Sequence, residues 1–322
     1  MDLFKFVPLL KPTLWGGDRL QTYKHYPPRP ERIGESWELC GMPGHETTVS
    51  EGRYTGLTLT ELADKLQTDL MGTENYRRYG NRFPLLVKFI DARMDLSVQV
   101  HPKEELARAR HNCPGKNEMW YVIDAEPGAR LCSGWTDSMT PEEYEERVRN
   151  HTIGESLLWH EVHPGDVFNI PAGRVHSIGA GILLAEIQQP SDITYRIYDY
   201  ERRDTDGKPR ELHTELAKDA IDYSKADCYK IPYTPCLNRR VELLDTPYYR
   251  TSLLHLTEPM TCDYTTLDSF VVYVCVAGKA VLESDGDTVC TLAQGETVLV
   301  PACTQKVQIK PEGEVQILEC GI

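Results

Sequence analysis

The sequence has 322 residues, of which 40% are hydrophobic and 26% are charged, a composition typical of a globular protein with one large or two smaller domains. The formal net charge of −14 at pH 7 argues against nucleic acid and anionic membranes as partners, because both are bound by basic surfaces. Lys5, Pro8 and Lys11 interrupt the N-terminal apolar run and no stretch is long enough to span a membrane, so we expect a cytoplasmic protein. The ten cysteines form no CxxC pair that would indicate a cysteine-based metal site, and nothing indicates an oligomeric state.

Three segments have the signatures of helices. Thr58 and Glu61 have the spacing of a capping box, and Gly72 is a typical stop signal. Thr140 and Glu143 form a second capping box, with a proline at the first helical position. A third segment has weaker periodicity. The predicted helices span residues 58–72, 140–150 and about 211–223.

Most of the remaining chain is predicted to be β structure. Short runs rich in Val, Ile, Leu and Tyr are separated by turn residues, and from residue 248 onward nearly everything has this pattern. The clearest runs are "LLVKFIDA", "LSVQVH", "MWYVID", "DVFNIP" and "GILLAEIQQ". The sequence therefore predicts a mainly β fold with a few helices.

An internal repeat divides this β structure into two units. Residues 164–178 and 293–309 share a turn glycine, a short apolar strand, a Pro-Ala pair and a second strand, with Gly165 aligned to Gly295. Each copy resembles the second motif of the cupin barrel, G-[DE]-x-x-x-[IV]-P-A, and a cupin is a small jelly-roll barrel. The resemblance implies two barrels, with a catalytic unit at residues 1–238 and a second unit at residues 239–322.

The two copies differ at one position that bears on metal binding. His176 follows the Pro-Ala pair of the first copy, whereas Lys306 stands at the equivalent place in the second. A protonated lysine ammonium has no lone pair with which to bind a metal. We therefore expect a metal in the first barrel only and a metal-free second barrel.

The stretch "SVQVHP" alternates between two kinds of side chain. Ser97, Gln99 and His101 point to one side of the predicted strand, and Val98 and Val100 point to the other. Polar groups on a buried strand face are unfavourable unless they have partners. A bound metal ion is a partner that makes such an arrangement favourable.

Two further residues complete a candidate metal site. Glu118 in "KNEMWYVID" and His176 in "GRVHSI" are remote from Gln99 and His101 in sequence, but a barrel brings its strand interiors together. Two imidazoles, a carboxylate and an amide oxygen suit zinc or another borderline divalent ion. Taken singly, each residue is more often hydrogen-bonded or exposed, so the prediction depends on their combination.

Several motifs together resemble one family within the cupins. "WGGDRL", "IGESWEL", "SVQVHP", "KNEMWYVID", "PAGRVHSIGAG" and "AEIQQPSDITYRIYDY" are similar to type I mannose-6-phosphate isomerase, in its shorter bacterial subgroup, from residue 10 to about residue 200. The resemblance implies a zinc enzyme that interconverts mannose 6-phosphate and fructose 6-phosphate through a cis-enediol. It also implies one Zn²⁺ per chain, held by Gln99, His101, Glu118 and His176.

Arg196 in "DITYRIYDY" is the strongest candidate for a catalytic cation. By alternation it shares a face with Thr194 and Tyr198. The family resemblance implies that this arginine stabilises the enediolate. The alternative is a surface arginine paired with Asp192 or Asp199.

Lys116 lies two residues before Glu118 and is predicted to face the same side. It is a candidate to bind the substrate phosphate or to neutralise charge beside the metal. The alternative is a solvated turn lysine. Lys103 and Arg174 are weaker candidates for the same positive charge.

Glu186 and Ser97 complete the set of candidate residues. Glu186 lies among apolar neighbours in "LLAEIQQ", where burial would raise the pKa of its carboxyl and suit it to act as a base. It could equally pair with Arg196 and orient it. Ser97 could contact the phosphate or the hydroxyls of the substrate. The sequence does not identify the base.

Two other functions remain open from the sequence. An iron-dependent cupin oxygenase would also need histidines and a carboxylate, but Gln99 is an unusual iron ligand, and Arg196 and Lys116 suit an anionic substrate. A non-catalytic sugar-phosphate-binding cupin would bind without turnover. Metal analysis, oxygen uptake and an isomerase assay distinguish the three.

Overall fold

The structure, a computed structural model, describes residues 2–203, 207–285 and 288–322. The predicted mainly β class is confirmed, since the described strands form sheets of nine, six and five strands. The strands are β1 Phe4–Val7, β2 Leu9–Gly17, β3 Ile33–Leu39, β4 Thr48–Val49, β5 Leu86–Ala92, β6 Val98–Val100, β7 Glu118–Ala125, β8 Arg130–Trp135, β9 Leu157–Glu161, β10 Val167–Ile170, β11 His176–Ser177, β12 Ile182–Gln188, β13 Tyr195–Tyr198, β14 Arg240–Asp245, β15 Arg250–Leu256, β16 Met260–Asp263, β17 Val271–Ser284, β18 Val289–Ala293, β19 Thr297–Val300 and β20 Lys306–Gly321.

The helices are short, and none among the described residues combines the length and apolar character needed to cross a membrane. They are α1 Arg19–Tyr23, α2 Leu59–Leu66, α3 Thr68–Met71, α4 Thr73–Tyr79, α5 Glu104–His111, α6 Pro141–Arg149 and α7 Thr214–Lys218, with a 3₁₀ turn at Ile153–Ser156. Both predicted capping boxes are present, at the starts of α2 and α6.

The structure corrects two of the three predicted helices. The segment predicted as one helix over residues 58–72 is broken at Gln67, whose φ of 49° lies outside the helical region and separates α2 from α3. The segment predicted over residues 211–223 is helical only in α7, which begins after His213. Just before α7 the backbone bonds to β13 instead of continuing a helix, because the His213 N–H donates to the carbonyl oxygen of Arg196 at 2.7 Å.

The first barrel consists of two sheets that face each other. The six-stranded sheet has the order β10-β7-β12-β5-β2-β3 and the five-stranded sheet the order β13-β6-β11-β8-β9. The outer face of the five-stranded sheet packs against α6 and α7 through residues such as Val98, Val100 and Tyr144. The outer face of the six-stranded sheet packs against the nine-stranded sheet, where Phe89 and Ile187 join a core with Leu318. The site therefore lies between sheets whose outer faces are both covered.

Double coverage explains why β5 and β12 are uninterrupted runs of buried residues. A strand covered on one side only would alternate between apolar and polar residues, whereas these strands contact a core on each face. Charged side chains on such strands have no route to bulk solvent, so they must find partners inside the protein.

The C-terminal unit is built on two long strands, β17 and β20, which pair with each other and with β15, β16, β18 and β19. The N-terminal strands β1 and β4 extend the same sheet, since Phe4 pairs with Leu299 of β19 and Phe6 with Val49 of β4. The predicted boundary near residue 238 stays a prediction, but this sheet takes in strands from both sides of it. The repeat is visible in the backbone, because Gly165 and Gly295 have similar φ values of 89° and 79°.

Gly278 allows β17 to bend beside β20. The pairing of the two strands shifts register there, φ is 78°, and an added Cβ would lie 2.0 Å from the carbonyl oxygen of Glu314. Gly313 in β20 has a φ of 90° but nothing within 4 Å of an added Cβ.

We expect Gly278→Ala to lower the free energy of unfolding by roughly 2 kcal/mol more than Gly313→Ala. Both variants carry the strain of a positive φ, but only the Cβ added at position 278 would clash with backbone. Urea unfolding of the two variants measures the difference. Equal losses would show that the close approach to Glu314 does not limit the residue at position 278.

Candidate metal and substrate site

Three buried residues converge between the two sheets of the first barrel. His101 follows β6, His176 begins β11, and Glu118 begins β7 on the opposite sheet. One ligand atom from each lies within 4.8 Å of the others, and each side chain is about 1% exposed. The structure thus brings together three of the four predicted metal ligands.

Both imidazoles are oriented by backbone carbonyls. The Nδ1–H of His101 donates to the carbonyl oxygen of Ile193, and the Nδ1–H of His176 donates to that of Arg174, each at 2.8 Å. A carbonyl can only accept, so each Nδ1 carries the proton and each Nε2 presents a lone pair. Such a fixed tautomer is typical of metal-binding histidines.

The Nε2 lone pairs point at Glu118. Its Oε1 is 3.3 Å from His101 Nε2, and its Oε2 is 3.6 Å from His176 Nε2. Lys116 Nζ approaches Oε1 to 2.7 Å, but among the described residues neither oxygen accepts a hydrogen bond of good geometry. Two imidazole lone pairs and an unsatisfied carboxylate around one point fit a divalent cation.

Electrostatics favour the charge states that a cation requires. Burial alone would raise the pKa of Glu118, but Lys116 and the two imidazoles outweigh it and hold that pKa well below its usual range. Burial lowers the pKa of His176 to about 3, with a further contribution from His101. Burial followed by Lys116 also lowers the pKa of His101. The carboxylate is therefore ionised and the imidazoles are neutral at pH 7.

Gln99 and Ser97 lie beside this cluster, on the cavity side of β6. The Gln99 amide nitrogen is 3.4 Å from His176 Nε2, and Ser97 Oγ is 3.4 Å from Gln99 Oε1. The neighbouring Val98 and Val100 face the core on the outer side of the sheet. The alternation in "SVQVHP" thus separates a core face from a cavity face. Rotation of the Gln99 amide by half a turn would present its oxygen to a cation.

A cavity of about 310 Å³ opens beside the cluster, and its wall includes most of the predicted site residues. Its lining includes Ser97, Gln99, Lys116, His176, Glu186, Thr194 and Arg196. Lys116 is 5% exposed, so the alternative of a solvated turn lysine is wrong. Lys103 and Arg174 are not among the lining residues. Arg174 instead stacks over the ring of Tyr229 at 4.7 Å.

Glu186 belongs to a buried ion network in the cavity wall. Lys88 Nζ lies 3.1 Å from Glu186 Oε2 and 3.7 Å from Glu35 Oε2, and the Trp120 indole N–H donates to Glu186 Oε1 at 2.8 Å. Burial, followed by the charge of Glu118, raises the pKa of Glu186 as predicted, against the opposing effect of Lys88. Glu186 therefore pairs with Lys88, and no ion pair with Arg196 is found among the described residues.

Arg196 lines the cavity beside a metal-ligand candidate, since it pairs with Gln99 in the register of β13 and β6. Its Nη1 donates to the carbonyl oxygen of Glu211 at 2.7 Å, and its buried Nε has no hydrogen-bond partner in the described part of the chain. No carboxylate among the described residues forms a salt bridge with it, so pairing with Asp192 or Asp199 is not observed. Arg196 is thus a cavity cation whose charge is available to a ligand.

The predicted shared face of β13 holds only in part. Thr194 and Arg196 line the cavity, but a register shift between Arg196 and Tyr198 moves Tyr198 to the core on the other side of the sheet. A strand bulge adds one residue to the alternation, and the sequence carried no sign of it.

A larger cavity, of about 740 Å³, lies between the first barrel and the C-terminal unit and is lined by residues such as Tyr121, Tyr233 and His255. None of the three clustered ligands lines it. We assign the functional site to the smaller cavity because the metal-binding geometry and the charged groups converge there.

Lys306, which stands in the second repeat at the place of His176, is half exposed and lies 3.7 Å from Asp263.

Sequence reasoning missed Lys88, Glu35 and Arg210, all of which line the site cavity. Lys88 was detectable, because a lysine within the apolar run "LLVKFIDA" needs a buried partner. Arg210 lies outside regular structure, where no periodicity reports its direction.

Comparisons with known proteins agree with this architecture. A family model described as phosphomannose isomerase type I, catalytic domain, matches residues 3–127. The mannose-6-phosphate isomerase ManA of Bacillus subtilis (strain 168) is 41% identical over 218 residues, which cover 67% of each chain. The mannose-6-phosphate isomerase of Streptococcus mutans serotype c is 37% identical over 216 residues, or 66% of this chain and 65% of the relative.

The crystal structure of a mannose 6-phosphate isomerase from Bacillus subtilis superposes with a TM-score of 0.89 at 28% identity, covering 100% of both chains. The likeness thus extends through the C-terminal unit, beyond the region that the family model matches. On the identity to ManA over two thirds of both chains, supported by the shared architecture, this chain belongs to the type I phosphomannose isomerase family of enzymes.

Proposed function

We propose that the protein interconverts D-mannose 6-phosphate and D-fructose 6-phosphate with the help of one bound Zn²⁺. The observation that carries the proposal is the cluster of His101, Glu118 and His176, because His176 lines a cavity that also holds Arg196, a cation with no salt bridge among the described residues. A divalent ion and an available guanidinium together suit a phosphorylated sugar whose reaction develops negative charge on oxygen.

The proposed zinc ligands are His101, Glu118 and His176, with the amide oxygen of Gln99 as the fourth. Their mixture of nitrogen and oxygen donors is one that zinc accepts, and a further position would remain for water or substrate. When bound, the ion supplies a Lewis acid beside the reacting oxygens. The cluster lies beside the cavity, so a substrate in the cavity reaches it without crossing the core.

The residues of the chain account for the proton transfers. We propose that Glu186 accepts the proton from C2 of the aldose, while the electrons of that bond form a C1–C2 double bond and the carbonyl electrons move to O1. Glu186 then returns the proton to C1, and the proton of O2 passes to O1, which leaves the carbonyl at C2. Arg196 and Lys116 stabilise the negative charge of the intermediate enediolate. The raised pKa of Glu186 suits a group that must both take and return a proton.

Metal removal tests the proposed function. We expect dialysis against a chelator to lower fructose 6-phosphate formation from mannose 6-phosphate at least about 100-fold, because the site loses its Lewis acid. One equivalent of Zn²⁺ should restore turnover. A coupled dehydrogenase assay, with elemental analysis of the same samples, measures both quantities.

The control is the metal-replete protein, assayed with and without substrate. Absence of turnover by that protein in the presence of substrate would contradict the isomerase proposal. Substrate binding without turnover would then favour a sugar-phosphate-binding protein, and oxygen consumption would favour an oxygenase.

A further inference from the structure

The proposed chemistry leaves two cations in the described wall of the site cavity without a role, Lys88 and Arg210. Lys88 is paired with Glu186 and Glu35, and Lys116 lies within contact of Glu118. Arg210 makes no hydrogen bond with the metal-ligand candidates among the described contacts. It is therefore not held by the cluster.

Asp199 holds Arg210 in a two-point contact. Arg210 Nε donates to Asp199 Oδ2 at 2.7 Å, and Nη2 donates to Asp199 Oδ1 at 2.5 Å. This contact fixes the plane of the guanidinium, because both bonds lie in it. It engages two of the three nitrogens, so the fork retains N–H groups outside the Asp199 pair. The side chain is 22% exposed, which lets a ligand reach it.

Arg202 contacts the same carboxylate but has a different position. Its Nη2 donates to Asp199 Oδ1 at 2.5 Å, its Nη1 donates to the backbone oxygen of Asp95, and it does not line the cavity. Among the described residues, two guanidiniums thus share one carboxylate, which leaves an excess of positive charge. Arg196, whose Nε has no hydrogen-bond partner in the same set of residues, adds to it.

A local excess of positive charge is unusual in a protein with a formal net charge of −14. The pKa of Arg196 is lowered first by burial and next by the charge of Arg210, so the two guanidiniums are close enough to repel each other. An anion bound at Arg210 would relieve that repulsion. A phosphate ester is the anion that the planar, multidentate arginine fork recognises best.

We propose that Arg210, oriented by Asp199, binds the phosphate group of the substrate and sets the preference for phosphorylated over free sugar. The inference rests on the proposed function, since it places the reacting carbons at the metal cluster and the phosphate at the opposite end of the sugar. A six-carbon sugar phosphate carries its carbonyl and its phosphate at opposite ends, so one molecule in the cavity could present each to a different group of the wall, which includes both His176 and Arg210.

The test compares Arg210→Gln and Arg210→Lys with Arg202→Gln as the matched control. We expect Arg210→Gln to raise KM for mannose 6-phosphate about 10- to 100-fold with little change in kcat, because a charge-assisted contact to a non-reacting group is lost. Arg210→Lys should recover part of the loss, since it keeps the charge without the fork. Arg202→Gln should leave KM nearly unchanged.

Competitive inhibition by inorganic phosphate provides a second measurement. Its inhibition constant should rise in Arg210→Gln and not in Arg202→Gln, with equal metal content in all proteins. An unchanged KM and inhibition constant in Arg210→Gln, or a fall in kcat alone, would overturn the inference. If wild-type protein shows no turnover, the proposed function fails, and calorimetric titration with inorganic phosphate then tests Arg210 separately.

Discussion

Replacing His176 by alanine should leave the first barrel without its metal ion and lower kcat at least about 1000-fold, equivalent to about 4 kcal/mol of transition-state stabilisation. The imidazole supplies one of three clustered ligand atoms, and its Nδ1–H contact to Arg174 fixes the direction of the Nε2 lone pair. The ligands that remain, one imidazole, one carboxylate and the weakly donating Gln99 amide, should hold a divalent ion much less tightly. Elemental analysis and the coupled isomerase assay on the same preparation measure the two losses.

His160→Ala is the matched control. His160 lies on β9 of the same five-stranded sheet and is partly buried, but its ring contacts the carbonyl oxygen of Ser133 and is not part of the cluster. It should retain one metal ion per chain and most of its turnover. A His176→Ala protein with full metal content would show that the cluster is not the metal site.

Arg196→Gln should lower kcat about 100- to 1000-fold while the metal content stays at the wild-type level. Removing one preorganised donor from a developing negative charge has an effect of this size, about 3 to 4 kcal/mol. No hydrogen bond or salt bridge joins Arg196 to the three clustered ligands among the described contacts, so its loss should spare metal binding. Stopped assays at saturating substrate, with elemental analysis, separate the two properties.

Arg130→Gln serves as the control for Arg196→Gln, because Arg130 lies on the same sheet with its guanidinium over the ring of Trp159 and outside the cavity. Its turnover should be unchanged. Should Arg196→Gln lose metal as well as activity, Arg196 would have to be assigned to the support of the metal site, and its proposed role at the enediolate would be withdrawn.

The metal cluster was predictable from sequence because its ligands lie on strands, where alternation reports direction. Alternation along the strand was enough to separate Gln99 and His101 from Val98 and Val100. The structure places the two sets on opposite sides of β6. Identification of Glu118 and His176 as their partners required the barrel resemblance. Nothing local to either residue indicates that the chain brings them together.

Other features could not be predicted from the local sequence pattern. After the break at Gln67, α3 and α4 pack beside the C-terminal unit, where the backbone N–H of Thr73 donates to Asp268 at 2.7 Å. A contact between residues so distant in sequence leaves no periodic trace. The bulge near Tyr198 and the direction of Arg210 were hidden for the same reason, since each depends on a partner supplied by another segment.

The placement of β1 bears on the order in which the molecule can be completed. One edge of β1 pairs with the nearby strand β4, but the other pairs with β19, where Phe4 lies opposite Leu299. That second edge therefore stays unpaired until the C-terminal unit folds. Pairings across so many residues form slowly. Phe4 and Phe6 are buried only in the finished sheet, and an unpaired apolar strand edge is a site at which incompletely folded molecules associate.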